Sequence, residues 1–378
     1  MSKKLETGCY YFPNYHMCDE RNARIHGEGW SEWDLLKIAP PRFPGHHQPL
    51  KPVWGYEDES KPEVMRRKIE AAASHGIDSF IFDYYHYADS TFLSHCLDDG
   101  FLPAVKGTDF KFALMWANHD WFDIHPRSLW HRPDMLYKGA VDGAAFLQIT
   151  DFIIEHYFKH PNYLLHDGKP YFSVYDIGNL IRGLGGFAGT KKALADFRAR
   201  TVAAGFAGLE LNAVVWGSAI LPGENGDIDL YKGVKELGFD TATSYCWLHH
   251  DGLDYTNRET PYLESMKRYL KFWDKIGSQI PIPYYPNISM GWDPSPRCSV
   301  TDKWGWKLAY PYSPLIVDNT PENFHKALEI IKERMLKSGA FMATVYCWNE
   351  WTEGSVLEPE ERYGMGYLEA MKDVFGKE

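Results

Sequence analysis

A chain of 378 residues carrying a net charge of −11 lacks the basic surplus that would neutralise phosphate backbones, so a nucleic-acid partner is not expected. No run approaches the roughly 20 apolar residues of a spanning helix, and the opening MSKKLETGCYYFPNYH has no apolar core before its first strand-like segment. The expectation is a protein not inserted in a membrane. As it stands it reads as cytoplasmic, although removal of an export signal would leave the same sequence for a periplasmic one. Aromatic residues make up 16% of the chain, and many stand beside polar residues near segment ends, where flat rings can stack on sugar C–H faces as well as fill a core.

Eight short β-branched or aromatic runs read as strands: Gly8–Asn14, Ser79–Tyr84, Phe112–Trp116, Tyr171–Tyr175, Leu209–Val215, Asp240–Tyr245, Ile282–Ile288 and Phe341–Trp348. Helix-like segments alternate with them: Pro62–His75, about 90–104, Gly143–Lys159, Thr190–Ala204, about 229–237, Tyr262–Ile276, Thr320–Lys337 and Gly366–Phe375. Gly76 and Gly205 stand just past helix ends, and Thr320 with Pro321 opens another. Eight βα repeats predict one α/β domain over residues 1–378, a (β/α)8 TIM barrel. Two connections are long, about 17–61 after the first strand and about 290–318 after the seventh. Both follow strand C-termini, the barrel face where active sites form.

The rival is a doubly wound open sheet, which usually places a glycine-rich phosphate loop after its first strand. Here that strand runs into Pro13, Asn14, Tyr15 and His16, and neither GxGxxG nor GxxxxGK[ST] occurs. No nucleotide cofactor is indicated. The six cysteines, Cys9, Cys18, Cys96, Cys246, Cys298 and Cys347, form no CxxC pair and read as free thiols. Among 16 histidines, His86 and His119 stand nearest to acids and could supply metal ligands, but HExxH is absent and His249-His250-Asp251 reads as a solvated loop. No metal is expected, and no GxSxG elbow marks a serine nucleophile.

Strand ends are consistently polar and aromatic. Tyr11 lies in the first strand, Asp83 and Tyr85 close the second, Trp116 and Asn118 the third, Tyr175 the fourth, Trp216 the fifth, and Tyr245 and Trp247 the sixth. In a barrel these side chains would converge on one mouth as sugar-binding candidates. The segment Trp348-Asn349-Glu350-Trp351-Thr352-Glu353-Gly354 ends the eighth strand with two carboxylates three residues apart among tryptophans. Aromatic neighbours desolvate one carboxyl group and favour its acid form while a second stays ionised, the pairing glycoside cleavage uses. An ExxE decorating a helix N-terminus is the plain alternative. Glu350 and Glu353 are the catalytic candidates, with Asn349 and Trp351 beside the substrate. In the first long loop Trp30, Glu32 and Trp33 could cap the site or pack the loop, and His46 and His47 could touch sugar hydroxyls or anchor it.

Four segments, in order, resemble one family: Trp30-Ser31-Glu32-Trp33; Phe43-Pro44-Gly45-His46-His47-Gln48-Pro49; Gly76-Ile77-Asp78-Ser79-Phe80 running into Asp83-Tyr84-Tyr85; and Trp348 to Ser355 followed by Leu357-Glu358-Pro359. It is the WbsX-type family, described as glycosyltransferase-like and related to glycoside hydrolase family 99. The resemblance implies a (β/α)8 barrel acting on an α-linked glycan with retention and with no cofactor. It further implies that Glu350 assists deprotonation of the substrate 2-OH, which attacks the anomeric carbon to form a 1,2-anhydro sugar. Glu353 would protonate the leaving oxygen and then activate water. The WSEW and GHHQP segments match the WbsX branch rather than family 99 proper, which leaves mannose specificity open. The expected partner is therefore an oligosaccharide or polysaccharide. A glycosyltransferase would need a sugar donor, and only Asp227-Ile228-Asp229 has the letters of a DxD motif. A non-catalytic carbohydrate-binding barrel is disfavoured because both glutamates are present.

Overall fold

A computed structural model describes residues 5–217 and 230–376. The Asp227-Ile228-Asp229 run lies outside them, as does the expected start of a helix at about 229. Among the described residues nine parallel strands make the wall of a nearly closed α/β barrel: β1 (Glu6–Tyr11), β2 (Ser79–His86), β3 (Lys111–Trp116), β4 (Lys169–Val174), β5 (Glu210–Val214), β6 (Thr241–Thr243), β7 (Tyr284–Tyr285), β8 (Asn287–Ser289) and β9 (Met342–Tyr346). The order around the wall is β7-β6-β5-β4-β3-β2-β1-β9-β8.

The eight expected strands are all present, and the ninth arises from Pro286. Lacking an N–H, proline cannot donate to a ladder, so the seventh stave divides into β7 and β8. Tyr284 and Tyr285 pair with Ala242 and Thr243 of β6, while Asn287–Ser289 pair with Thr344–Tyr346 of β9. The carbonyl of Pro286 still accepts from Thr344 N at 2.9 Å. One continuous segment therefore touches both ends of the sheet and closes the ring through its own covalent chain.

Helices run over Pro62–Ser74, Gly143–Ile153, Phe187–Ala203, Leu230–Leu237, Tyr262–Gln279, Pro321–Ser338 and Gly366–Phe375. Their ends follow local chemistry: Thr320 Oγ1 accepts from Asn323 N at 3.3 Å ahead of Pro321, and Gly339, at φ 76°, ends that helix. Two expected helices are widened by single π-helical turns, Cys96–Phe101 and Ile154–Phe158. At Gly100 a Cβ would stand 2.1 Å from the Glu59 carbonyl, so only glycine lets the first long connection pass that close.

The two long connections fold back over the strand C-termini and onto each other. Arg42 of the first donates to the carbonyls of Ser295, Cys298 and Ser299 in the second at 3.1, 2.6 and 3.1 Å. A third excursion, residues 117–142 after β3, was not singled out in the sequence. It carries a small hairpin, Trp121–Phe122 against Met135–Tyr137, and lies at the same mouth. At the opposite end of the barrel His166 bridges Glu6 and Glu210 at 3.1 and 2.8 Å. All six cysteines are unpaired, five of them buried. Among the described residues no helix is long and apolar enough to cross a membrane.

Candidate active site

After β9 the chain turns within a few residues. Asn349–Glu350 pairs antiparallel with Ser355–Val356, and the loop between them is a single 3-10 turn, Trp351–Glu353, ended by Gly354 at φ 68°. The two glutamates thus leave a tight hairpin at the barrel mouth, not the first turn of an α-helix. A Cβ on Gly354 would lie 2.9 Å from Asp293 Cβ, so glycine admits both the backbone conformation and the approach of the second long connection.

Buried polar contacts hold this hairpin. Asn349 accepts from Phe12 N at 2.9 Å and donates to Phe12 O at 2.8 Å, stapling the turn to the end of β1. Behind it Lys68 Nζ reaches Glu59 and, at 3.0 Å, Glu358; Trp351 Nε1 donates to Glu358 at 3.3 Å. Burial pushes the Glu358 carboxyl up to about 7 against the pull of Lys68.

The centre of the site is Arg297, from the second long connection. Its guanidinium donates through Nε to Glu32 Oε1 at 2.8 Å, through Nη1 to Glu353, and through Nη2 to both oxygens of Glu350 at 3.2 Å. Glu353 also accepts from Tyr310 Oη at 2.7 Å and from Tyr346 Oη. Glu32 takes further donors from Thr352 and, at 2.7 Å, from Asn14. Three carboxylates around one cation, all buried, cannot be neutralised together if all are ionised. Glu350 bears the consequence. Burial pushes its carboxyl well above the usual range despite Arg297, and Glu353, Glu32 and Asp83 add to the rise. Glu32 is pushed up by burial too, but the Arg297 charge and the Thr352 hydrogen bond outweigh that and hold it below the ordinary value.

Glu350, Glu353 and Arg297 open onto a cavity of the barrel mouth. Asp83 and Tyr85 of β2, Tyr175 and Tyr245 line it from the strand ends, while Trp121 and His125 wall it from the third excursion. Trp121 and His125 stack with ring centroids 5.2 Å apart and planes 10° from parallel. Tyr245 donates to Asp83 Oδ2 at 2.7 Å. Burial, helped by the charge of Glu353 and opposed by this bond, leaves the Asp83 carboxyl well above its ordinary range.

Of the candidates read from sequence, Asp83, Tyr85, Tyr175, Tyr245, Glu350 and Glu353 meet in this cavity, and Glu32 stands directly behind it on Arg297. Others lie elsewhere. Tyr11 donates to Met65 Sδ at 3.3 Å, between barrel and helix. Trp33 packs on Tyr15 and Trp351 and donates to Glu57 O, and Trp351 shares that layer. Trp30 stacks on His26. Trp116 packs on Phe146 and donates to His86 O; Trp247 stacks on Tyr269 and donates to Asn287 O. Trp216 backs Tyr175 from behind, donating to its carbonyl at 3.1 Å. Asn118 staples two strand ends through the Asp176 N–H and C=O at 2.7 and 2.8 Å. His46 accepts from Arg42 N on Nδ1 and donates from Nε2 to Asp293 at 2.8 Å; with His47 it lines a separate groove. None of these residues lines the cavity.

Arg297, Tyr310 and His125 were not among the sequence candidates, and His119 was one only as a possible metal ligand. Arg297 and Tyr310 do fall inside the 290–318 connection flagged by its length, which was the available signal. Nothing local distinguishes Arg297 from any other loop arginine.

The fold is that of a TIM barrel. Solved structures with this fold include the family 99 endo-alpha-mannosidase of Bacteroides thetaiotaomicron, with TM-score 0.57 and 14% identity over 97% of this chain and 95% of that one. A "glycoside hydrolase-like protein" aligns with TM-score 0.57 and 15% identity over 100% of this chain and 95% of that one. The sequence model of the family described as glycosyltransferase WbsX matches residues 7–371, and the chain belongs to that family. It is 26% identical to the uncharacterized protein WxcX of Xanthomonas campestris pv. campestris, over 97% of this chain and 49% of that protein. The chain thus spans about half the length of the curated relatives it matches.

Proposed function

We propose that this barrel hydrolyses an α-linked glycan, with Glu350 and Glu353 as its catalytic carboxylates. The observation that carries the proposal is their placement: a tight hairpin at the C-terminal mouth of a parallel barrel presents both to one aromatic-walled cavity, bridged by one buried arginine. The family 99 neighbour, named an endo-alpha-mannosidase, supports an α-linkage, while the sugar itself is left open.

In the mechanism implied by the resemblance, Glu350 accepts the proton of the 2-OH as O2 attacks C1, and Glu353 protonates the departing oxygen as the C1–O bond breaks. Water then gives a proton to Glu353 and opens the 1,2-anhydro ring at C1, while Glu350 returns its proton to O2. Two inversions leave net retention. Burial, which raises the Glu350 carboxyl, makes it a stronger base towards a hydroxyl once ionised while reducing the fraction that is ionised. Arg297 disperses the charge that moves between the two glutamates without itself exchanging a proton. Tyr85, Tyr175 and Trp121 supply faces for the sugar ring.

The family's description as a glycosyltransferase keeps a second reading in view, transfer from a sugar donor to an acceptor in polysaccharide assembly. Incubating the protein and its Glu353→Gln variant with α-linked glycans, and separately with nucleotide sugars plus acceptors, distinguishes the two by mass spectrometry. Cleavage abolished by the substitution supports the hydrolase. Acceptor extension makes it a transferase, and cleavage indifferent to Glu353 overturns the site.

A further inference from the structure

Asp83 stands outside the ring of carboxylates around Arg297. Its Oδ2 accepts from Tyr245, but its Oδ1 is buried and has no hydrogen-bond partner among the described residues. A buried acceptor left bare is costly unless something supplies a donor, and Asp83 lines the cavity that a ligand would fill. Oδ1 therefore has the character of an acceptor waiting for a donor group.

The rest of the lining limits what that ligand can be. Among the described residues lining the cavity, Arg297 is the only arginine or lysine. Its nitrogens are already engaged by Glu32, Glu350, Glu353 and Tyr310. His125 is held by burial at about 3, and so is neutral at ordinary pH. A carboxylate or sulfate on the bound ring would find no unspent arginine or lysine and would face Asp83, Asp120, Glu350 and Glu353. A buried anion without a partner is strongly disfavoured.

We propose, resting on the reading of this cavity as a glycan site, that Asp83 selects the charge class of the bound sugar. Its Oδ1 takes a hydrogen bond from a ring hydroxyl or amino group, so that the ring seated there is neutral or amino-bearing and is not a uronic acid. Tyr245, through its bond to Oδ2, is the positioning residue that keeps Oδ1 turned to the ligand.

The test titrates the protein calorimetrically with 1-deoxynojirimycin and its galacto and manno epimers, and with the uronic acids of the same three configurations. At least one imino sugar is expected to bind more tightly than its matched uronic acid. Asp83→Asn should weaken that binding about three- to tenfold, the worth of an ordinary hydrogen bond. A uronic acid binding as tightly as its imino counterpart overturns the proposal, as does failure of all three imino sugars to bind. The comparison on the unsubstituted protein stands even if Asp83→Asn misfolds, which its thermal unfolding reveals. An Asp83→Asn protein that folds and binds the imino sugars unchanged also overturns it. Glycan cleavage that needs Glu353 but ignores Asp83 would remove this assignment alone and leave the hydrolase standing.

Discussion

Arg297 Nη2 lies 2.7 Å from Oε1 of Glu32, and the two residues come from the two long connections of the barrel, 265 positions apart. This contact ties both connections together and sets the guanidinium against Glu350 and Glu353. Replacing Arg297 by methionine would leave three buried carboxyl groups around no cation. The expected loss in urea unfolding is about 3–5 kcal/mol, as for a broken buried ion pair, together with loss of cleavage. Arg297→Lys keeps the charge but not the fork of donors, so it should retain more stability than activity. A methionine variant as stable as the parent would contradict this account.

Tyr310 and Tyr346 both donate to Glu353, one to each oxygen. Single substitutions to phenylalanine keep the packing and delete one donor. Each is expected to lower kcat about two- to tenfold with little change in KM, since a hydrogen bond is worth about 0.5–1.5 kcal/mol. Steady-state kinetics on a cleaved glycan would decide. A rise in KM with kcat intact would place both phenols in ground-state binding instead.

Lys68 is fully buried between Glu59 and Glu358, beneath the hairpin that carries the catalytic candidates. Lys68→Met would strand two carboxyl groups there and is expected to cost about 3–5 kcal/mol in urea unfolding. Pairing it with Glu358→Gln should recover part of that loss. Additivity of the two substitutions would mean that they do not interact.

At the far end of the barrel, burial alone would depress the His166 imidazole, but its bonds to Glu210 and Glu6 and their charges outweigh burial and raise it to about 9. The ordinary value is about 6.5. Stability from this group is therefore fully present below about pH 6.5 and is lost as pH rises through about 9, an effect of order 2–3 kcal/mol. Thermal or urea unfolding across that window should show the decline. His166→Gln should flatten it, and an equally steep decline in the variant would remove His166 as the cause.

Eight strands and the positions of most helices were legible because each is set by near neighbours: periodicity for the body, Pro, Gly and Thr for the ends. The division of the seventh stave at Pro286 was not anticipated, though its chemistry is local. The site was half legible. Strand-end aromatics were taken together, but side chains alternate across a strand. Phe12, Asp83, Tyr85, Met115 and Ala117 face the cavity, while Tyr11, Tyr84 and Trp116 between them turn to the helix layer. The parity that separates these sets follows from how the barrel closes. The 117–142 excursion escaped notice because its hairpin has no turn signature of the Asn-Gly type.

Local order along the chain was enough to define the alternation of strands and helices, the mouth at the strand C-termini, and an acidic hairpin after the last strand. These follow from interactions a few residues long. Which carboxylates share a cation, and which acceptor is left bare, were decided only by the tertiary structure. Glu32, Asp83, Arg297 and the hairpin carrying Glu350 and Glu353 lie on separate connections and strands that ring closure brings within hydrogen-bond reach of one another or onto one cavity. The strength of such contacts depends on burial and on distances between residues far apart in sequence, and neither quantity exists until the barrel has closed.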